Sequence, residues 1–226
     1  YYMLFFIFMR KIQGNKVIES FAYGCCIALL IISLAIRPYV SPVGTITMLD
    51  IGQGDAFVIE LTYRKGVFFI DVGASFSFTD VEPSKKVYKQ IIKPYLYSRG
   101  ISKVDGIFLS HEHIDHIGSV SFLIEEIDVD EIIISNLYEL ENDQALLWES
   151  YGVQIKRVDH NETVVMKGQI FHVLAPVKNY HDYNENSLVL YTELGGWNWL
   201  FTGDVEKEAE RERIKQDDKL QGEVRK

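Results

Sequence analysis

The sequence predicts an α/β protein of layered sheets flanked by helices, with a transmembrane helix in front of it. The apolar segment 17–36 contains twenty residues and a single charge. After residue 44, strand patterns come first and then alternate with helical patterns, which is typical of sheets covered by helices. Three histidines cluster directly after one of the buried strands. The composition, 47% hydrophobic and 24% charged, is that of a globular protein.

The first element is the apolar segment 17–36. As an α-helix it is about 30 Å long, which matches the hydrocarbon core of a bilayer. Cleavable signal peptides have shorter apolar cores and a small-residue cleavage site, and neither is evident here. Residues 1–9 are also apolar but too few to span, so we expect them to be the end of an earlier transmembrane helix.

The flanking charges predict the orientation of this helix. Arg10, Lys11 and Lys16 precede or begin the segment, whereas only Arg37 stands in the short stretch after it. The positive-inside rule therefore places everything after Pro38 outside the cytoplasm. The predicted organisation is a truncated transmembrane helix with a basic loop at 1–16, a transmembrane helix at 17–37 and a domain at 44–226.

After residue 44 the sequence predicts a series of short strands and helices. Apolar or alternating runs bounded by turn residues predict strands at 45–49, 56–61, 67–70, 104–110, 131–134, 153–158, 163–166, 169–175, 187–192 and 197–201. Helical patterns cover 83–99, 117–127, 142–151 and the charged segment after Asp204. Pro94 is expected to kink or break the first of these helices.

The charge balance argues against a strongly electrostatic nucleic-acid binder. A net charge of −9 and a pI of about 5.2 leave no general basic footprint. One local basic face is a candidate, although such runs are usually solvated helix surfaces; it consists of Lys85, Lys86, Lys89, Lys93, Arg99 and Lys103. The neighbouring Cys25 and Cys26 fit neither a disulfide framework nor a CxxC metal site.

The most informative segment is residues 111–116, which read His-Glu-His-Ile-Asp-His and hold three of the six histidines. They follow the predicted strand 104–110 and so lie on a loop leaving the carboxyl end of a strand, where open α/β sheets place their sites. Imidazole nitrogens and carboxylate oxygens suit zinc, manganese or iron(II). The segment therefore predicts a metal site.

Two further carboxylates stand in positions that can serve such a site. Asp71 and Asp204 each follow an apolar strand beside a glycine, and Asp55 nearly does. A carboxylate there can reach a metal or orient a ligand histidine. A two-metal site needs bridging and supporting carboxylates of this kind.

Together, Asp71-Val72-Gly73, the 111–116 loop and Thr202-Gly203-Asp204 resemble the metallo-β-lactamase fold hydrolases. Three segments resemble, more narrowly, the soluble domain of the ComEC family of competence proteins: LDIGQGDA at 49–56, NSLVL at 186–190 and FTGDVE at 201–206. Members of that family are polytopic membrane channels that take up single-stranded DNA during natural transformation. The similarity covers about residues 44 to 210.

The resemblance implies a metallo-β-lactamase-like αββα sandwich with up to two divalent ions, Mn²⁺ or Zn²⁺, at one edge of the sheets. By position, His111 and His113 serve the first ion, Asp115 and His116 serve the second, and Asp204 bridges them. Asp71 supports the loop from behind, and Asp115 and Asp71 are the candidate catalytic residues.

The resemblance also implies a function for the intact protein. From the resemblance we expect a metal-dependent hydrolase, a nuclease that degrades the DNA strand that is not imported. Its expected partners are single-stranded DNA, the membrane and other proteins of the competence machinery. We also expect a multi-pass protein of the bacterial cell membrane, with the soluble domain outside the cytoplasm.

Two departures from the family pattern concern the metal ligands. Asn186 stands where the superfamily has a histidine, and an amide oxygen suits manganese or magnesium better than zinc; His181 is a nearby substitute. The family's last motif, His-His-Gly-Ser, has no counterpart, and we interpret His160 and His172 as structural. We therefore expect the chain to be a fragment that binds metal weakly and turns over little.

Three alternatives remain open. The first is that the domain is a hydrolase of the same superfamily acting on a lactone, a thioester or RNA. The second is that it is a non-catalytic module whose degenerate site stabilises the channel. The third is that the protein is a secreted soluble enzyme with a signal anchor.

Overall fold

The computed structural model describes residues 16–74 and 84–206. Contacts between residues divide the chain into a unit ending at Ser41 and a second unit beginning at Pro42. The described part of the first unit is helix α1 (Lys16–Val40), most of whose side chains are exposed. Among the described residues it is the one helix long and apolar enough, over Ser20–Val40, to cross a membrane. The predicted helix end at 1–9 lies outside the described residues.

The second unit is a layered α/β domain. Its strands are β1 (Thr45–Met48), β2 (Phe57–Glu60), β3 (Val67–Ile70), β4 (Lys103–Val104), β5 (Gly106–Phe108), β6 (Asp128–Val129), β7 (Glu131–Ser135), β8 (Gln154–Val158), β9 (Thr163–Met166), β10 (Gln169–Ala175), β11 (Val189–Leu194) and β12 (Trp197–Phe201). Its helices are α2 (Lys93–Arg99), α3 (Ile114–Ile117), α4 (Val120–Ile124) and α5 (Asn142–Ser150). A 3₁₀ turn covers Thr62–Arg64, and a π-helical turn, Tyr88–Ile92, leads into α2.

Two main sheets organise the domain. The first has six strands in the order β1-β2-β3-β5-β7-β8, and the second has four in the order β12-β11-β10-β9. Within the first, β1, β2 and β3 pair antiparallel, whereas β3, β5, β7 and β8 pair parallel. The second sheet is antiparallel throughout. Because β3 and β5 run parallel, the loops that follow them leave the same edge of the first sheet.

The two sheets pack face to face through alternate residues of their strands. Phe171 of β10 lies between Phe68 and Phe108 of the first sheet, with ring centroids 5.4 and 4.7 Å away. Phe57 of β2 likewise meets Phe201 of β12, with ring centroids 5.3 Å apart. Burial of these large apolar side chains is the main term that holds the sheets together.

Helices cover the other face of the six-stranded sheet. Their buried residues share one core with Phe69, Ile107 and Ile132 of the strands, and they are Tyr88, Ile92, Leu96, Val120, Leu123, Ile124 and Trp148. Among the described residues no helix covers the outer face of the four-stranded sheet. The charged helix predicted after Asp204 falls mostly outside the described residues, which end at 206.

Two predicted elements are divided in the structure. The strand predicted at 104–110 splits at Asp105, because the Asp105 backbone donates to Val67 O and its carboxylate accepts from Val67 N, both at 2.8 Å. This bends the chain, so that β4 pairs with β6 while β5 joins the main sheet.

The helix predicted at 117–127 likewise becomes α3 and α4. The break is at Ser119, whose N–H and hydroxyl donate to the carbonyls of Val72 and Gly73, each at 2.8 Å. The predicted irregularity at Pro94 takes the form of the π-helical turn, and the proline itself sits in the first turn of α2, where its missing N–H is tolerated.

Candidate metal centre

Four loops converge at the edge of the sheets where the candidate residues lie. Asp71 follows β3, residues 109–113 connect β5 to α3, Ser187 precedes β11, and Asp204 follows β12. Leu188 N donates to Ser110 O at 2.8 Å, which joins the second of these loops to the third. Side chains from both sheets therefore meet at one place.

Asp71 is the centre of the buried half of this site. It is 1% exposed and adopts a left-handed backbone conformation, with φ of 56°. Its carboxylate accepts from Ser110 N and from Ser110 Oγ, both at 2.7 Å, and lies 2.9 Å from His116 Nδ1. Asp71 thus lies beneath the histidine loop and fixes both of its ends.

His116 is held by Asp71 on one side and faces Asp204 on the other. Its Nε2 lies 3.3 Å from Asp204 Oδ1. Nε2 is nevertheless buried and makes no hydrogen bond with any described residue. A ligand histidine bonded through its second nitrogen to a carboxylate is a recurrent arrangement in metal sites. The orphaned Nε2 and the oxygen facing it fit a divalent metal ion.

His111 is buried beside it and is held through hydroxyl groups. Its Nδ1 lies 3.0 Å from Ser110 Oγ and 3.4 Å from Ser187 Oγ, and its Nε2 lies 3.0 Å from His113 Nδ1. The rings of His111 and His116 are 4.2 Å apart between centroids. Three imidazoles thus converge at this edge.

The surroundings move the pKa values of these two histidines in opposite directions. Burial, with the charges of His116 and His113, lowers the pKa of His111 to about 3. Burial also disfavours the charged form of His116, but the hydrogen bond and charge of Asp71, with Asp204, raise its pKa to about 9. Without a metal ion, His111 is therefore neutral and offers a lone pair at physiological pH, whereas His116 is protonated and must release a proton to bind an ion.

The structure brings together some of the predicted residues but not all. Ligand atoms of His111, His116 and Asp204 lie within 4.8 Å of one another, as do those of Asp55, Asp71 and His116. Among the described residues, neither group includes His113 or Asp115. His113 is exposed at the rim, 3.0 Å from His111.

Asp115 and Asn186 serve the loops in this structure. The backbone carbonyl of Asp115 accepts from Asp55 N at 3.2 Å. The side chain of Asn186 accepts from Tyr180 N at 2.9 Å and donates to Asn179 Oδ1 at 3.1 Å, so both of its polar atoms are engaged within its own loop. Their proposed metal roles stay predictions.

The remaining histidines lie on other parts of the surface. His172 is on β10, with Nδ1 3.2 Å from Thr163 Oγ1 on the neighbouring strand. His160 is half-buried, and His181 is exposed. None of the three joins the ligand groups found among the described residues.

Sequence reasoning missed the two serines that orient His111. Ser110 and Ser187 are both buried and bring a hydroxyl within 3.4 Å of the ring. Ser187 belongs to the 186–190 segment, so its place in a family-like motif was the available signal. Gly203, at φ of 52°, packs on both serines, and an added Cβ there meets Ser110 Cβ at 2.7 Å.

The glycine-rich turn before β2 supports the same loop from another side. Gly54 has φ of 89°, and a Cβ at this position collides with the Asp115 backbone. The next residue, Asp55, donates from its N–H to Asp115 O and accepts at its carbonyl from Gly73 N at 3.0 Å. Burial and the nearby Asp71 charge raise the pKa of Asp55.

The candidate basic face is largely neutralised. Lys85 pairs with Glu125 at 2.9 Å and Lys93 with Glu126 at 2.6 Å. Lys103 pairs with Asp130 at 2.6 Å, and Arg99 with Glu60 at 2.8 Å. Four of the six cations are thus paired with carboxylates, three at the surface and one, Arg99, with the buried Glu60.

Comparison with known proteins agrees with this geometry. The sequence profile described as "Metallo-beta-lactamase superfamily" matches residues 49–223. The chain belongs to the metallo-β-lactamase superfamily. This confirms the predicted fold class, and the superfamily together with the histidine and aspartate groups supports a site for divalent metal of unassigned identity.

Relatives within this superfamily are longer than the chain. It is 32% identical over 197 residues to ComE operon protein 3 of Bacillus subtilis, which covers 83% of this chain and 25% of that protein. It is 28% identical over 169 residues to YcaI of Escherichia coli, which covers 74% of this chain and 19% of that protein. The chain thus spans about a quarter or less of these relatives. The first similarity agrees with a ComEC-like assignment and so supports a link to competence.

Among solved structures, the chain is similar to ST1585 of Sulfolobus tokodaii, an archaeal metallo-β-lactamase superfamily protein. The identity is 18% and the TM-score 0.47, covering 79% of this chain and 77% of that one.

Proposed function

We propose that the intact protein is a membrane protein of DNA uptake whose metallo-β-lactamase domain is a metal-dependent nuclease acting on the strand that is not imported. The observation that carries the hydrolase part is His116, whose Nδ1 is held by Asp71 while its buried Nε2 has no hydrogen bond. Such a buried nitrogen is costly unless another group satisfies it. His116, His111 and Asp204 would hold a divalent ion, which would satisfy this nitrogen.

The chain's own residues have separate tasks in this proposal. Asp71 fixes the tautomer and orientation of His116, and the hydroxyls of Ser110 and Ser187 orient His111. Asp204, whose side chain is 45% exposed, connects the buried histidines with solvent and substrate. When bound, a divalent ion supplies an activated water and neutralises the charge developing on a phosphoryl group.

The assignment to DNA uptake rests on similarity. The segments that resemble the ComEC family include Asp55, Ser187 and Asp204, all of which lie at the candidate centre. The relative named ComE operon protein 3 supports the link to competence. Helix α1 supports a membrane location, and we propose that the domain lies outside the cytoplasm.

The test measures metal content and cleavage of single-stranded DNA with Mn²⁺, in the 226-residue chain and in the full-length protein. We expect both to bind metal, the full-length protein more tightly, and cleavage to be stronger in the full-length protein. His172→Ala, which changes a histidine outside the centre, should match wild type. A full-length protein that binds no metal and cleaves no DNA contradicts the catalytic proposal.

One observation favours a second candidate, a non-catalytic module that stabilises the channel. Both polar atoms of Asn186, at the position of a superfamily ligand, are engaged in loop hydrogen bonds. Replacing His111 and Asp115 together in the full-length protein distinguishes the candidates. Loss of DNA uptake favours catalysis, whereas unchanged uptake favours the structural module.

A further inference from the structure

An aromatic side chain stands at the open rim of the candidate centre without belonging to the core. Tyr183 is 44% exposed. Its ring meets the exposed His113 ring edge-on, with centroids 5.7 Å apart, and His113 in turn lies 4.6 Å from His111. A partly exposed aromatic ring is therefore separated from the buried metal-ligand group by a single side chain, that of His113.

The ring is also fixed in place. The Tyr183 hydroxyl donates to Glu139 Oε2 at 3.1 Å, which links the 176–188 loop to the loop after β7. The latter loop is joined to the histidine loop, because Glu139 N donates to a carboxylate oxygen of Glu112. A tyrosine held at both its ring edge and its hydroxyl loses little side-chain entropy when a ligand packs on it.

The charges around Tyr183 select which part of a nucleic acid fits there. Glu112 and Glu139 are both close, and the 176–188 loop has one lysine, Lys178, against Asp182 and Glu185. Directly beside the Tyr183 ring, these carboxylates repel phosphate groups. An uncharged base that stacks on an aromatic ring is the part of a strand that fits there.

We propose that Tyr183 stacks on a base of single-stranded DNA and so positions the strand with its phosphodiester at the metal centre. This rests on the proposed nuclease function and adds a residue that determines substrate binding. Stacking does not depend on base identity, since every base has a π face. It does require an unpaired strand, because the bases of a duplex already stack on one another.

The test compares Tyr183→Ala with Tyr183→Phe in the 226-residue chain, held in detergent micelles with Mn²⁺. Fluorescence anisotropy measures binding of an oligothymidylate and of an abasic strand of the same length. Tyr183→Ala should weaken oligothymidylate binding by about 5-fold to 150-fold, the usual range for one stacked base, and leave binding of the abasic strand unchanged. Tyr183→Phe keeps the ring and should stay within about 2-fold of wild type.

Tyr151→Ala is the matched control, since Tyr151 is 49% exposed at the end of α5. It should bind both strands as wild type does. In the full-length protein, Tyr183→Ala should raise KM for oligothymidylate more than it lowers kcat, with manganese content unchanged.

The outcomes separate this proposal from the function on which it rests. If wild type binds DNA and Tyr183→Ala binds oligothymidylate equally well, base stacking is wrong and the nuclease proposal stands. If Tyr183→Ala weakens binding of both strands equally, or loses manganese, Tyr183 has a structural role through His113 and base stacking is also wrong. If the full-length wild-type protein binds metal but neither binds nor cleaves DNA, both proposals fail.

Discussion

Two buried carboxylates lie at opposite ends of the neighbouring strands β2 and β3 in the six-stranded sheet. Glu60 is the last residue of β2, and Asp71 follows the last residue of β3. These strands are antiparallel, with Glu60 opposite Val67 and Phe57 opposite Ile70, so the two side chains are at opposite ends of the pair. Both are nearly inaccessible, at 4% and 1% exposed.

Their partners differ in kind. Glu60 is enclosed by cations, because Arg64 and Arg99 donate to its two oxygens at 2.9 and 2.8 Å, and Tyr95 adds a third bond at 3.3 Å. Asp71 is held by the neutral Ser110 and by His116, whose outer nitrogen has no hydrogen bond. Burial of a carboxylate therefore does not identify a functional site. What distinguishes Asp71 is a histidine partner with an unbonded ring nitrogen, and the metal-site proposal rests on it.

The largest expected effect tests that unbonded nitrogen. His116→Gln can still hydrogen-bond Asp71 but lacks the ring nitrogen, so we expect metal affinity to fall by more than about 100-fold, the upper range for losing only a supporting group. Isothermal titration with Mn²⁺ and Zn²⁺ measures this. His172→Gln, far from the centre, should bind metal as wild type does. If His116→Gln keeps wild-type affinity, His116 is not a ligand.

The next effect concerns the enclosed carboxylate. Glu60→Gln leaves Arg64, whose side chain is 8% exposed, without its counter-charge. We expect the free energy of unfolding to fall by about 3 kcal/mol, near the lower end for a broken buried pair because Arg99 is partly exposed. Urea unfolding followed by tryptophan fluorescence measures it, since unfolding exposes the buried Trp148. Metal affinity should not change, and a large change in affinity would contradict the distinction between the two clusters.

The same pair predicts a pH dependence. Burial raises the pKa of Glu60, but the hydrogen bonds and charges of Arg99 and Arg64 outweigh it, so the pKa lies below the usual 4.5. Stability from a lowered pKa is complete above the unfolded pKa and is lost as pH falls through the folded one. The stability difference between wild type and Glu60→Gln should therefore be constant above about pH 5 and shrink in more acidic solution. A difference that grows toward low pH would show the opposite shift.

A smaller effect separates supporting groups from ligands. Asp71→Asn keeps the size of the side chain but removes the charge that orients His116, and we expect metal affinity to fall by about 10-fold to 100-fold. The matched control is Asp105→Asn, since Asp105 is also a buried carboxylate that accepts from a backbone N–H, that of Val67. It should leave metal affinity unchanged. Equal losses in the two variants would mean that Asp71 acts only by keeping the domain folded.

Whether the sequence predicts a feature of this site depends on how far apart in the sequence the contacting residues are. The strands were predictable because apolar alternation and turn residues are local, and the 111–116 loop is itself a local motif. Ser187 reaches His111 across 76 positions of sequence, and no local pattern signals that distance. Asp105 and Ser119 divide predicted elements for the same reason, because each forms hydrogen bonds with a distant part of the β3 segment.

The smallest expected effect tests whether every buried polar atom near Asp71 without a hydrogen bond is a metal ligand. Tyr138 is 4% exposed, its hydroxyl has no hydrogen-bond partner among the described residues, and burial with the charges of Glu112 and Asp71 raises its pKa. A buried hydroxyl without a partner costs about 1 kcal/mol or more, so Tyr138→Phe should stabilise the domain by about 1 kcal/mol in urea unfolding and leave metal affinity as in wild type. A phenol oxygen is also a weaker candidate than imidazole for these ions. If Tyr138→Phe instead loses metal affinity, the hydroxyl belongs to the centre, and the open cluster extends beyond the histidine loop into the loop after β7.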